Sequence, residues 1–350
     1  MAVDLIGWDI GGAHLKAAAL DAGHLAGVAQ QPCPLWLGLE HFHAAARAIL
    51  AEMPPAPGCR HAVTMTGELA DLFAHREAGV FGLLHALAEH VPSADIRVFA
   101  GATGFIDANA VRPGHVAAIA SANWLATGLY AARQTPQALL LDIGSTTTDL
   151  LVLRDGAAQA LGHTDSARLR HGELVYSGAV RTSLMAIADA APLDGEWVGL
   201  MAEHFATTAD VYRLTGELPA HADQSATADG AAKTPEASAR RLARLAGRDL
   251  ESADMAVWRR LAYYFRERQL ARLTDACQRQ LSRNLLGQDA PVIGAGVGRF
   301  LAHELARRLA HPYLDFDDLF PTPARPHGFH IADCAPAVAL AYLLAERRHA

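Results

Sequence analysis

One pattern constrains this chain more than any other: a short segment occurs twice. Gly7 to Gly23 reads GWDIGGAHLKAAALDAG, and Leu140 to Gly156 reads LLDIGSTTTDLLVLRDG. Aligned on their first aspartates, Asp9-Ile10-Gly11-Gly12 meets Asp142-Ile143-Gly144-Ser145. Lys16 then meets Asp149, and Gly23 meets Gly156 at the far end. Each copy is an apolar run ending in a carboxylate, a turn of small residues, and a second apolar run. That order predicts a buried strand, a tight turn and an antiparallel partner. A single hairpin of this kind would be ordinary. Two, matched in Asp, Gly and far-turn Gly, predict a duplicated unit.

The turns suggest chemistry. Small residues leave backbone N–H groups unblocked, which makes a concavity suited to phosphate. Gly11, Gly12, Ala13, His14 and Lys16 are therefore candidate phosphate-binding residues in the first copy, and Gly144, Ser145, Thr146 and Thr147 in the second. A carboxylate beside phosphate needs a cation between them, so Asp9, Asp142 and Asp149 are candidate ligands of Mg²⁺. Lys16 is suited to neutralise phosphate, and Asp149 to take a proton or a metal-bound water. The chain has no GxxxxGK[ST], and neither turn opens onto a helix through GxGxxG, so neither a Walker-type loop nor a dinucleotide fold is expected. A third glycine cluster, Gly294, Gly296 and Gly298 in VIGAGVGRF, follows a strand and precedes a helix. Close helix–strand packing would also explain it.

Composition bounds the rest. At 350 residues, two domains are the natural expectation, and 51% hydrophobic residues supply their cores. The net charge of −7 does not favour a nucleic-acid partner, which calls for a basic face. Cys33, Cys59, Cys277 and Cys334 form no CxxC pair and read as free thiols. No secretory signal or membrane-length apolar run is evident, so a cytoplasmic protein without a membrane partner is expected. His41 and His43 do not share a helical face, so they read as solvated or helix-end side chains, not metal ligands.

Along the chain, a helix is predicted over Leu39 to Glu52, followed by a proline-rich turn over 54–58. AVTMTGELADLF predicts a short strand and then a helix capped by Thr64 or Thr66, with Glu68 at its start. IRVFA and HVAAIA read as strands. From Arg181 onward the patterns are mainly helical, through DVYRLTGEL, SARRLARLAGRDL and Met255 to Leu286. Between these, His221 to Ser238 lacks apolar periodicity and reads as a loop or lid. A last helix is expected over Cys334 to Arg347.

The three glycine motifs, in this order, resemble those of the acetate and sugar kinases, heat-shock chaperone ATPases and actin. The resemblance implies an α/β fold of two ribonuclease H-like domains facing across a cleft, with a helical insertion in the second. The first domain would span 1–136. The second would span 137–332, with its insertion at about 181–288 and its glycine-rich loop at 292–299. Residues 333–350 would return to the first.

A finer set of segments resembles one family: GWDIGGAHLK, TMTGELAD, SANWLATG, LDIGSTTTDL, HGELVYSGAVRT, ADVYRLTG, RLARLAGRD and GAGVGRFLA. These are similar to the hydantoinase/oxoprolinase-like proteins linked to tetrahydromethanopterin-dependent one-carbon transfer, whose archaeal relatives act in methanofuran biosynthesis. The resemblance implies a transferase. A γ-glutamyltyramine or tyrosine-like phenol would attack an aminomethylfuran-methyl diphosphate, forming an ether and releasing diphosphate, with Mg²⁺ and without a requirement for ATP. Candidate catalytic residues are Lys16, Asp142, Asp149 and Glu68, any of the three carboxylates being suited to act as base; Glu68 would equally serve a helix dipole. Asn123, Trp124 and Arg181 are candidate pocket residues, although a packed Trp, a turn Asn and a surface ion pair fit the same letters. An ATP-dependent small-molecule kinase or a hydantoinase-type amidase stays open, as does a nucleotide-binding regulatory protein and a homodimer.

Overall fold

The computed structural model describes residues 2–91, 95–320 and 328–346. The chain divides into two compact units. One comprises 1–140, 151–171 and 315–350, and the other comprises 141–150 and 172–314. This partition differs from a cut near residue 136, because Leu151–His171 and the segment from Asp315 belong with the first unit.

The first unit begins with β1 (Val3–Ile10), β2 (His14–Asp21) and β3 (His24–Pro32), followed by α1 (Leu39–Glu52) and β4 (Pro55–Met65). Next come α2 (Arg76–Ala88), β5 (Asp95–Phe99), β6 (Phe105–Asp107), α3 (Val116–Ile119) and α4 (Asn123–Gln134). The strands form one sheet in the order β3-β2-β1-β4-β5-β6. β1, β4 and β5 are parallel neighbours, and β2 and β3 are antiparallel extensions of β1. β1 is buried along nearly its whole length, as a central strand covered on both faces must be. Alternate residues Ile6, Trp8 and Ile10 share a core with Phe42, Ala46 and Ile49 of α1.

A second sheet has the order β10-β8-β7-β13-β14, with β9 paired to β8. Its members are β7 (Gln137–Ile143), β8 (Thr148–Arg154), β9 (Ala157–Ala158), β10 (Leu174–Val175), β13 (Val292–Ala295) and β14 (Tyr313–Asp315). The division between the units runs through β7 and β8. Helix α5 (Asp165–His171) precedes β10, and a separate hairpin of β11 (Ala190–Leu193) and β12 (Glu196–Gly199) follows it. The second unit then adds α6 (Thr208–Thr215), α7 (Pro235–Leu245), α8 (Met255–Leu281) and α9 (Arg299–Leu309).

Helix α10 (Ala335–Glu346) returns to the first unit, where it packs on β1, β2 and β4. Gly7 permits that approach: a Cβ there would lie 2.1 Å from the Ala337 carbonyl oxygen. Arg347, expected to end this helix, lies outside the described residues.

Several expectations are corrected. HVAAIA is not a strand; Val116–Ile119 is a helical turn, started by Pro113 and by His115 Nδ1, which accepts from Arg112 N at 3.1 Å. Only Ala120 bridges to Met65. A short apolar run without alternation fits either state. No α-helix starts at Thr64 or Thr66: β4 runs to Met65, and a single 3₁₀ turn (Gly67–Leu69) follows, with no side-chain cap from Thr66. The helix begins at Arg76, where His75 Nδ1 accepts from Ala78 N at 3.2 Å. The proline-rich 54–58 stretch is not only a turn, because β4 starts at Pro55 beside Val3 and is irregular there. After Arg181 the segment carries no α-helix until Thr208: a 3₁₀ turn (Leu184–Ala186) and the β11–β12 hairpin intervene. His43 is half-buried and lies inside α1; its Nδ1 is 2.8 Å from His90 Nε2.

Of the loop expected over 221–238, residues 235–238 already belong to α7, begun by the Thr234 cap and Pro235, while 221–234 carries no helix or strand but is firmly tied. Arg213 Nη2 reaches Asp223 Oδ2 at 2.5 Å, Lys233 Nζ donates to the Asp223 carbonyl, and buried Arg241 pairs with Asp229 and with Asp210.

Candidate active site

In the first unit, β1 and β2 place Asp9 directly across the ladder from Lys16, so carboxylate and ammonium stems share one end of the sheet. The turn between them closes with Gly11 N donating to His14 O at 3.0 Å. Its carbonyls are anchored: Gly12 O accepts from Leu35 N, and Ala13 O accepts from Cys33 N. Carbonyl and following N–H point opposite ways across a trans peptide, so the N–H groups of Ala13 and His14 face away from that anchor. A Cβ on Gly12 would meet nothing within 4 Å, so this turn borders open space. Lys16 Nζ donates to the Asp333 carbonyl at 2.8 Å, which fixes the ammonium just ahead of α10.

The second unit repeats this device. Gly144 N donates to Thr147 O at 2.9 Å, as Gly11 does to His14. The carbonyls are again consumed on one side: Gly144 O accepts from Ala179 N, and Ser145 O from Val180 N and Arg181 N. The N–H of Thr146 therefore points away, as does that of Ala13 in the equivalent peptide. Gly178 lies flat against this turn, and a Cβ on it would be 2.5 Å from Ser145 C and Thr146 N. Behind it, Gln269 Nε2 donates to Ser177 Oγ and to Gly178 O, and Tyr212 Oη donates to Gln269 Oε1. A buried, mutually satisfied network thus holds the loop that holds the turn. Arg181 Nη1 reaches Thr146 Oγ1 at 3.4 Å, and burial pulls its guanidinium below the usual value. That contact places Arg181 beside the second turn.

Asp142 ends β7 and abuts the glycine-rich loop. A Cβ on Gly296 would lie 2.3 Å from Ile143 O and 2.6 Å from Asp142 Oδ1, and Gly298 N donates to Ile143 O at 2.8 Å. Close packing therefore demands glycine at Gly296, whatever ligand the loop meets. Asp149 sits on β8 opposite Leu174.

A third cluster lies in the first unit, at the carboxyl ends of β1 and β4, where ligands of parallel sheets gather. Thr66 N donates to Ile10 O at 3.0 Å, which ties the exit of β4 to the first turn. Two residues on, Glu68 is 1% exposed. Its Oε1 accepts from Ser121 Oγ at 2.9 Å, while its buried Oε2 has no hydrogen-bond partner. Arg76 Nη1 stands 3.8 Å away, and Arg76 Nη2 pairs with Asp165 Oδ2 at 2.6 Å. Burial pushes the Glu68 carboxyl up to about 7, against the pull of Ser121 and Arg76. Asn123 opens α4 and turns its Oδ1 onto Trp124 N. Trp124 is buried with the Arg168 guanidinium 4.0 Å from its ring centroid.

Arg76, Ser121, Asp165 and Arg168 are functional candidates that the sequence did not single out. Ser121 begins the quoted SANW segment, which was a usable signal. Arg76 and Asp165 are 89 residues apart, and nothing local announces their meeting.

For a metal, Asp9, Asp142 and Asp149 offer hard oxygen donors of the kind Mg²⁺ prefers. Among the described residues no three His, Cys, Asp or Glu side chains gather to hold an ion. A cation at any one of these carboxylates would take its remaining ligands from water and substrate oxygens.

The duplicated hairpin, the two sheets and the glycine-rich loop give the chain the α/β fold shared by acetate and sugar kinases, chaperone ATPases and actin. Solved structures agree on the fold. A nucleotide-free acetone carboxylase matches with TM-score 0.58 and 12% identity, over 97% of this chain and 70% of that one. Component A of (R)-2-hydroxyglutaryl-CoA dehydratase from Acidaminococcus fermentans matches with TM-score 0.50 and 11% identity, over 98% of each. The hydantoinase/oxoprolinase family model matches residues 60–345, and the chain belongs to this family. A Methanocaldococcus jannaschii relative, (4-{4-[2-(γ-L-glutamylamino)ethyl]phenoxymethyl}furan-2-yl)methanamine synthase, is 28% identical over 252 residues, 72% of this chain and 74% of its own length. The synthase of the same name from Methanococcus vannielii is 31% identical over 128 residues, 36% of this chain and 57% of its own length. No helix among the described residues is long and apolar enough to cross a membrane.

Proposed function

We propose that this protein is a transferase of methanofuran-type cofactor biosynthesis that joins a phenol to a furan-methyl diphosphate. The phenolic oxygen of a γ-glutamyltyramine or similar acceptor attacks the CH₂ carbon. The new C–O bond forms as the bond to diphosphate breaks, and diphosphate leaves with the electron pair. The names of the two archaeal synthases support this substrate pair. Glu68 is the observation that carries the reaction: a buried carboxyl raised to about 7, with one oxygen unpartnered, beside a phosphate-type turn. A phenol loses its proton near pH 10, and a base near 7 accepts it far better than an ordinary carboxylate would.

In the first unit Lys16 and the N–H groups of the first turn, and in the second unit Arg181 and the second turn, are each suited to the negative charge of a phosphate group. A divalent cation held by Asp9, Asp142 or Asp149 would supply further neutralisation of that charge. Asn123, Trp124 and Arg168 lie on the Glu68 side, and we assign them to the organic part of the substrate.

The test is direct. The protein, the furan diphosphate, γ-glutamyltyramine and Mg²⁺, without ATP, should yield ether and diphosphate in equal amounts. Product that forms only on addition of ATP would replace this proposal with an ATP-dependent kinase or amidase chemistry.

A further inference from the structure

Glu68 has two oxygens, and the structure treats them differently. Oε1 faces the Ser121 hydroxyl at 2.9 Å, and Oε2 faces no partner. Ser121 Oγ is also 3.2 Å from Asp165 Oδ2 and receives Arg76 Nη1 at 3.4 Å. A hydroxyl owns one hydrogen, so it can serve only one of two carboxylates at a time. Arg76 decides the competition, because it pairs with Asp165 at 2.6 Å and satisfies the same Oδ2 that would otherwise claim the hydroxyl. Ser121 adopts φ 52°, a left-handed backbone that a serine adopts only at a cost in conformational energy. The bridge between Ala120 and Met65 fixes that backbone to the end of β4, next to Glu68.

We propose that Ser121 is a positioning residue for the base: it occupies Glu68 Oε1 and so directs the incoming proton to Oε2, while the Arg76–Asp165 pair keeps its hydroxyl turned to Glu68. This inference rests on the assignment of Glu68 as the base. It predicts opposite effects for two neighbours of one carboxylate. Removing the hydroxyl takes away a hydrogen bond that favours ionised Glu68, so the carboxyl should hold its proton to higher pH. Neutralising Asp165 removes a negative charge and releases Arg76, already 3.8 Å from Oε1, towards Glu68. The carboxyl should then lose its proton at lower pH. Arg76 on α2, Ser121 ahead of α4 and Asp165 on α5 are the groups that act on it.

The experiment titrates Glu68 in the full chain by carbon-13 NMR of δ-labelled glutamate, its signal identified by loss in Glu68→Gln. Ser121→Gly is the first variant, because glycine accepts a positive φ without strain; Ser121→Ala removes the same hydroxyl with Cβ kept. Both should raise the midpoint, and Asp165→Asn should lower it, each by about one pH unit. The acid limb of the turnover–pH profile should move with the midpoint. A midpoint unmoved in the serine variants, or moved in the same direction by Asp165→Asn, overturns the inference. Opposite shifts in a protein that forms no ether without ATP would uphold the coupling and reject the reaction proposed above.

Discussion

Replacing Glu68 with glutamine should stabilise the first unit at alkaline pH and not at acid pH. A carboxyl raised from its ordinary 4.5 to about 7 is one whose ionised form the fold disfavours. The unfolded chain ionises Glu68 near 4.5, while the folded protein keeps the proton until about 7. Between those values the folded state binds more protons, so stability falls as pH rises, and the loss is complete above 7. The span of about 2.5 pH units at about 1.36 kcal/mol each sets the penalty at about 3 kcal/mol. Glu68→Gln abolishes that term. It also places an amide nitrogen where Oε2 has no partner, a cost of about 1–3 kcal/mol that does not vary with pH. The difference in stability between variant and wild type should therefore swing by about 3 kcal/mol in favour of glutamine from pH 4 to pH 8.5. For a unit of this size that is a relative change of roughly 6–12 °C in melting temperature, readable by calorimetry. Parallel pH curves for the two proteins would refute the argument, since other titrating groups cancel in the difference.

Other substitutions probe the frame around the site. Gly178→Ala drives a Cβ to 2.5 Å from the Ser145–Thr146 peptide, and should cost about 1–3 kcal/mol and weaken diphosphate binding measured by calorimetric titration. Gly7→Ala meets the Ala337 carbonyl at 2.1 Å and should destabilise the first unit by a similar or larger amount, about 1–3 kcal/mol in urea, without touching the second turn. Lys16→Ala should lower turnover by about 10²-fold, because it removes a cation suited to the leaving group. It should also lower stability by about 1–3 kcal/mol through the lost hydrogen bond to the Asp333 carbonyl; near-normal turnover in the folded variant would discard its role.

How much of this was legible depended on how local each signal was. The duplicated hairpin was readable because strand, turn and partner strand lie within about twenty residues and carry their own punctuation. The equivalence extends to single hydrogen bonds, Gly11 to His14 and Gly144 to Thr147. Glu68 was visible as a carboxylate in TGEL, but its role was not, because its burial depends on Ser121 and on α2, elements that its own segment does not encode. HVAAIA misled because five of its six residues are small or β-branched apolar types that fit either state, and the nearby Pro113 decided for a helical turn. β3 escaped notice because HLAGVAQQP alternates poorly and gains its pairing from β2, not from its own composition.

The attachment of α10 has a consequence for how the protein is made. Lys16 and the carbonyl it holds are separated by 317 residues, and Arg60 contacts the Leu344 carbonyl across 284. At about 5–20 residues per second, the completed first sheet leaves the ribosome roughly 11–46 s before the helix that covers one of its faces. The second unit, 141–150 and 172–314, is synthesised entirely within that wait. The unit begun first is finished last, and until α10 arrives the small-residue face around Gly7 is the surface a chaperone would have to shield.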